Sequence, residues 1–184
     1  MNAAEKATDA VPQPFDFEAL FQQRYDQITR VIARVVRNPA RAEEIAVEAF
    51  WRLWRSPKAQ GDSAGGWLYR TAVRLALDEL RGQARRVRSE TASKGPGPAP
   101  NPEQVRAEDE EREHVRQTLA ALDARAAELL LLRSHGLSYS EVAAALDLNP
   151  ASVGTLITRA QQAFRKEYVK HYGEPHHDGE RDER

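Results

Sequence analysis

Apolar positions in the first half of the chain recur at helical spacing. Phe21, Tyr25, Ile28, Ile32 and Val35 are separated by alternating steps of four and three residues, which places them on one face of a helix. That helix is expected to end near Asn38. Asn38-Pro39 then restarts the chain, with asparagine at the N-cap and proline at the first helical position, where no backbone donor is needed. A second helix carries Ile45, Ala49, Phe50, Leu53 and Trp54 on its inward side. Ser56-Pro57 opens a loop running to Gly65-Gly66, and a third helix starts near Trp67 with Tyr69, Val73, Ala76 and Leu80 as its stripe. No segment alternates apolar and polar residues as a half-buried strand does, so the pattern predicts an all-α fold.

Helical periodicity returns in the second half, and there it has a more specific form. Ser138 and Glu141 have the spacing of a capping box, ahead of a short helix with Val142 and Leu146 inward. Asp147-Leu148-Asn149-Pro150 makes a turn in which Asn149 caps and Pro150 opens the next helix. Val153, Ile157, Ala160 and Phe164 form the inner stripe of that helix. A capped short helix, a tight turn and a second amphipathic helix form the helix-turn-helix by which proteins enter a DNA major groove. Asn149, Ser152, Thr155, Thr158 and Arg159 lie outward near the start of its second helix, where they could reach bases or phosphates. A plain helical hairpin would show the same pattern. Gly154 within this helix costs about 1 kcal/mol relative to alanine, and basic residues are sparse before Arg159.

Between the halves, residues 89–104 hold Pro96, Pro98, Pro100 and Pro102 with Gly95 and Gly97 among them, a composition that neither continues a helix nor buries a face. The expected organisation is therefore a disordered leader (1–14), a helical domain (15–88), a flexible linker (89–104), a helix-turn-helix domain (105–172) and a polar tail (173–184). The acidic run Glu108-Asp109-Glu110-Glu111 reads as a solvated helix start, or else as an electrostatic contact to a partner or to the basic third helix.

Charge alters the picture locally, because the chain as a whole carries only −1. Arg70, Arg74, Arg81, Arg85, Arg86 and Arg88 crowd one stretch, opposed by Asp78 and Glu79 alone, and Trp67 and Tyr69 stand beside them. Clustered arginine next to aromatics suits phosphate contact and base stacking on a separated strand. A solvated helix end would also favour arginine.

Both halves together resemble the extracytoplasmic-function sigma factors of bacterial RNA polymerase. AEEIAVEAFWRLW, Ala42 to Trp54, is similar to the region two helix that docks on the polymerase clamp, and GWLYRTAVRLALDELR, Gly66 to Arg81, to the stretch that opens and reads the minus-ten element. The second half resembles region four, the minus-thirty-five reader. The resemblance implies polymerase contact at Glu44, Val47, Glu48 and Arg52. It implies minus-ten contact at Trp67, Arg70, Arg74, Asp78 and Arg81, and base capture by the loop from Ser56 to Gly66. Its implied partners are core RNA polymerase, promoter DNA and an anti-sigma factor. Val47 stands where the family usually has glutamine, Arg74 where asparagine is common, and Asp123 where proline is usual. Gly154 and Leu156 replace residues that are often basic.

Other chemistry finds little support. The chain has no cysteine, which excludes disulfides and cysteine-ligated metal centres and suits a cytoplasmic location. No stretch is apolar for long enough to act as a signal peptide or to insert in a membrane. Gly61 and Gly65-Gly66 lack the lysine of a phosphate loop, and no nucleophile stands with a base, so neither catalysis nor a cofactor is expected. His171, His176 and His177 beside Asp178 read as part of the polar tail, not as a metal site. The rival readings are a conventional helix-turn-helix regulator that never enters polymerase, and a polymerase-binding module with weak DNA affinity.

Overall fold

Helix boundaries follow local chemistry closely. The computed structural model describes residues 15–94 and 107–174, and among these there is no strand. The helices are α1 (Phe17–Val36), α2 (Pro39–Trp54), α3 (Ala64–Lys94), α4 (Ala107–Ala121), α5 (Ala124–Ser134), α6 (Tyr139–Leu146) and α7 (Pro150–Tyr172), with a 3-10 turn at Pro57–Ala59. Asp16 caps α1 by accepting from the Ala19 N–H at 2.9 Å. Arg37, in the left-handed region at φ 56°, stops it, and the next residue is already the N-cap of α2. Asn38 accepts there from the Arg41 N–H at 3.1 Å, with Pro39 following. One left-handed residue and one cap thus make the whole corner between α1 and α2.

Phe50 is the centre of the first half. Its ring lies 4.8 Å from that of Phe21, 6.2 Å from Phe17 and 6.1 Å from Tyr25. Ile28, Ile32, Ile45, Leu68 and Leu77 are fully buried around it. The same cluster continues without a break into Leu132, Leu146 and Val153 of the second half. The junction is α3, which packs against α1 and α2 on one side of the sequence and α4, α5 and α6 on the other. Gly66 permits the closest approach: a Cβ placed there would lie 3.3 Å from the Ala145 Cα, so the backbones of α3 and α6 nearly touch.

Several expectations need correction. Trp54 is not inward; it is 61% exposed, with one edge of its ring against Phe17 at 5.1 Å. As the last residue of α2 it lies beyond the layer that α1 and α3 cover. Gly65 and Gly66 belong to the first turn of α3 and not to the preceding loop. The third helix also runs past Arg88 to Lys94, because Ser89 to Lys94 contain neither glycine nor proline and the breakers begin at Gly95. Of the linker expected at 89–104, residues 89–94 are thus helical, and 95–104 lie outside the described residues, as do the leader at 1–14 and most of the polar tail.

In the second half Asp123 is the N-cap of α5 and accepts from the Ala126 N–H at 3.0 Å. A residue that departs from the resembled pattern therefore does a helix start's ordinary work. Two residues of the acidic run at the head of α4 find partners on α1 and α7. Asp109 pairs with Arg37 of α1 at 2.9 Å, and Glu111 accepts from the Tyr168 hydroxyl of α7 at 2.6 Å. That carboxylate is the main cause holding the Tyr168 phenol up at about 12.

His135, which ends α5, faces Arg34 of α1. Burial, and secondarily the positive charge of Arg34, pushes its imidazole below the ordinary value of 6.5, so the folded chain holds it neutral. The unfolded chain takes up a proton that the folded one refuses. Stability is therefore full above the ordinary histidine pKa and falls as pH drops from there through the lowered folded value. Between about pH 7 and pH 5, the melting temperature is expected to fall more steeply for the natural chain than for His135→Asn. Equal slopes in the two proteins would contradict this account.

Candidate nucleic-acid interface

The helix-turn-helix forms as the residue types dictate. Ser138 and Glu141 make a complete capping box at the head of α6: the Glu141 N–H donates to the Ser138 hydroxyl, and the Ser138 N–H donates to the Glu141 carboxylate at 2.7 Å. The hydrogen bonds from the Ser138 hydroxyl and N–H hold the Glu141 carboxyl below its usual range. Asp147, in the left-handed region at φ 54°, closes α6, a conformation that aspartate tolerates better than most residues. Asn149 then accepts from the Ala151 N–H at 3.0 Å and Pro150 opens α7. Val142, Leu146, Val153, Ile157 and Ala160 are buried as expected, while Phe164 is half-buried.

Asn149, Ser152, Thr155, Thr158 and Arg159 are all exposed. Two of them are partly committed within the fold. The Asn149 carboxamide oxygen serves as the cap, and the Thr158 hydroxyl donates to the Gly154 carbonyl at 3.1 Å. Ser152, Thr155 and Arg159 remain, spaced so that they share one face of α7. Gly154 has a structural neighbour: a Cβ there would sit 3.4 Å from the exposed Tyr139 ring, an ordinary contact. Gly154→Ala is expected to raise stability by up to about 1 kcal/mol in urea titration, the usual helix gain. A loss would show that Tyr139 requires the gap.

The arginine-rich helix has a more divided fate. Trp67 is half-buried and packs on Leu53, Ala59 and Ala64, so its ring is largely used in the fold. Arg70 is half-buried and lines a cleft of about 360 Å³ with Arg74, Arg125, Glu128 and Asp147. Arg74 meets Glu128 of α5, its Nε 2.6 Å and Nη2 3.4 Å from the two carboxylate oxygens. Arg81 donates to the carbonyls of Ala120 at 3.4 Å and Leu122 at 3.0 Å, at the end of α4. Asp78 is exposed. Arg86 and Arg41 both bond Glu79; partial burial pushes that carboxyl up, but these bonds and one from Gln83 outweigh it and keep it low. Glu128 was not legible as a site residue. Its only sequence signal is a lone acid in the otherwise apolar stretch from Ala126 to Leu132.

A second surface lies on α2. Glu44, Val47, Glu48 and Arg52 share the outer side of this helix, with Glu48 and Arg52 paired at 2.6 Å and Glu44 held by Arg41 at 2.7 Å. Between them run two residues that sequence reasoning did not place there. Val47 is 53% exposed, and Trp51 (54%) and Trp54 continue its line at spacings of four and three. The Arg55 guanidinium lies over the Trp51 ring at 4.7 Å. The sequence signal for Trp51 was its spacing from Val47, one helical turn away. A cleft of about 990 Å³ between α1, α4, α5 and α7 is not part of either surface; Arg37 and Arg116 at its edge are engaged by Asp109 and Glu113.

Helices without strands among the described residues, with a helix-turn-helix in the second half, an arginine-rich helix in the first and an apolar outer stripe between charged residues, define a class of helical helix-turn-helix proteins. Two family models divide it along the same lines: Sigma-70 region 2 matches residues 20–86 and Sigma-70, region 4 matches residues 112–163. The RNA polymerase sigma-H factor of Pseudomonas aeruginosa is 31% identical over 164 residues, 82% of this chain and 84% of that protein. The ECF RNA polymerase sigma factor SigE of Mycolicibacterium smegmatis is 31% identical over 171 residues, 86% of this chain. The chain spans 63% of that relative's length. SigK of Mycolicibacterium vanbaalenii, also an ECF sigma factor, is 27% identical over 82% of this chain and 80% of its own. The chain belongs to the sigma-70 family, in its extracytoplasmic-function group.

Proposed function

We propose that this chain is a sigma factor that binds core RNA polymerase and directs promoter-specific transcription initiation. The observation that carries the reading is the exposed Val47-Trp51-Trp54 stripe on α2 in a chain that also presents a fully capped helix-turn-helix. Exposed tryptophan flanked by charge is the usual composition of a protein-docking centre and its rim. In this reading Glu44, Val47, Glu48, Arg52 and the two tryptophans contact polymerase. The start of α7 enters the minus-thirty-five major groove, where Ser152, Thr155 and Arg159 meet bases and phosphates, and the orphan N–H groups of the helix start favour a phosphate.

On α3, Arg70, Arg74, Asp78 and Arg81 hold the opened minus-ten strand. Opening needs no catalytic group: it follows if the separated strand is bound more tightly than the duplex, since a ligand shifts an equilibrium by its differential affinity. The protein is accordingly read as a non-enzymatic, cytoplasmic subunit, with an anti-sigma factor as a further partner class. No helix among the described residues is long and apolar enough to cross a membrane. In vitro transcription over a promoter library, with core polymerase and with or without this chain, tests the proposal. A distinct subset of promoters should fire only when the chain is present. Unchanged initiation, or tight operator binding by the chain alone as a dimer, would instead favour a conventional regulator.

A further inference from the structure

We propose that the cleft where α3, α5 and the end of α6 meet is a binding site for a phosphate group, held by Arg70 and Arg125. The cleft has a volume of about 360 Å³ and brings together Arg70, Arg74, Ala124, Arg125, Glu128 and Asp147. Three guanidinium groups and two carboxylates thus line one space.

These charges do not cancel in pairs. Glu128 has a side chain only 4% exposed, and a buried carboxylate is costly unless a cation meets it. Arg74 does so, its Nε 2.6 Å and its Nη2 3.4 Å from the two carboxylate oxygens. Arg125 is left with one long contact to Glu128 at 3.8 Å. Arg70, half-buried one turn before Arg74, has no hydrogen bond or ion pair among the described residues. Asp147 is exposed and lines the cleft without pairing with any of the three arginines. Two cations therefore face the cleft with their donors open.

Two features make the fitting anion a phosphate. Arg70 and Arg125 reach the cleft from different helices, so their donor forks come from two sides. The tetrahedral oxygens of a phosphate serve both, whereas a planar carboxylate matches one fork. The cleft also takes in the first turn of α5. Asp123 accepts from the Ala126 N–H with its side chain and from the Ala127 N–H with its carbonyl. The N–H groups of Ala124 and Arg125 remain, and such donors at a helix start favour phosphate. At about 30 Å³ per water, the cleft accommodates one phosphate group with its nearest waters.

Arg125 and the start of α5 belong to neither the DNA nor the polymerase surface proposed above, so this site goes beyond that reading. When filled, it withholds Arg70 from a DNA strand. That consequence alone rests on the assignment of α3 to nucleic acid.

Isothermal titration calorimetry of the full chain with sodium orthophosphate, at ionic strength held constant with sodium chloride, tests the site. Saturable binding of one phosphate per chain is expected. Arg70→Gln and Arg125→Gln should each weaken it at least about tenfold, the loss of a charge-assisted contact. Asp147→Asn should tighten it about threefold, because it removes the opposing charge and asparagine tolerates the left-handed backbone there (φ 54°). Glu110→Gln removes the same charge from an exposed position on α4 and should change nothing. Adenosine monophosphate is titrated in parallel. Tighter binding than orthophosphate assigns the site to a nucleotide phosphate, and equal binding assigns it to the free anion; either result supports the site. Absence of saturable binding by both would overturn it. So would equal binding by Arg125→Gln and the natural chain, or equal tightening by Asp147→Asn and Glu110→Gln. Neither DNA nor polymerase enters the titration, so such a failure would leave the proposed function standing.

Discussion

Phe50→Ala is expected to destabilise the chain by about 3–5 kcal/mol, enough to consume much of the stability of an ordinary domain. Phe50 is buried between α1, α2 and α3 and meets three other aromatic rings, so truncation removes apolar contact and leaves a cavity that rigid helices cannot fill. For a chain of this size each kcal/mol shifts the melting temperature by about 2–4 °C, so a fall of roughly 6–20 °C is anticipated. Thermal and urea unfolding followed by far-ultraviolet circular dichroism measures it. A loss below about 1 kcal/mol would mean that the aromatic cluster is not the keystone of the first half.

The second large effect concerns binding. Val47→Glu/Trp51→Ala should weaken association with core polymerase by about 30-fold or more, since a tryptophan at a docking centre commonly carries about 2 kcal/mol or more and each 1.4 kcal/mol is tenfold. Folding stability should change little, because both side chains are more than half exposed. Fluorescence competition for core enzyme, run beside a thermal melt, separates the two quantities. Intact polymerase binding by a folded double variant would move the docking surface elsewhere and remove the observation on which the proposed function rests. Trp54→Ala is a less clean probe, because the Trp54 ring also leans on Phe17.

These two neighbours in sequence, Phe50 and Trp51, show how far sequence reading reaches. Phe50 was legible as core because it falls on the stripe of Ile45, Ala49 and Leu53, and helical geometry leaves such a stripe only one useful direction. Trp54 sits at nearly the same angle but one turn later, and it proved exposed. Periodicity gives the direction of a side chain and says nothing about whether a neighbouring helix extends far enough to cover it. The caps at Asn38, Ser138 and Asn149 were legible for a related reason: a cap is satisfied by backbone donors within three residues, so its chemistry is wholly local.

Arg74 and Arg81 mark the opposite limit. In the sequence they are cations on a helix of like charge, available to any polyanion. Their partners Glu128, Ala120 and Leu122 lie 39 to 54 residues away, across the proline-rich segment, and no spacing rule connects them. What the sequence determined by itself was most of the short-range structure: the helical pattern, the caps at Asn38, Ser138 and Asn149, the helix-turn-helix and the two regions that place the chain in the sigma-70 family. Only the tertiary structure decided which surfaces remain open and which are covered. The reason is physical: secondary structure is set by hydrogen bonds and sterics within a few residues, whereas the exposure of a charge depends on which distant helix comes to lie against it.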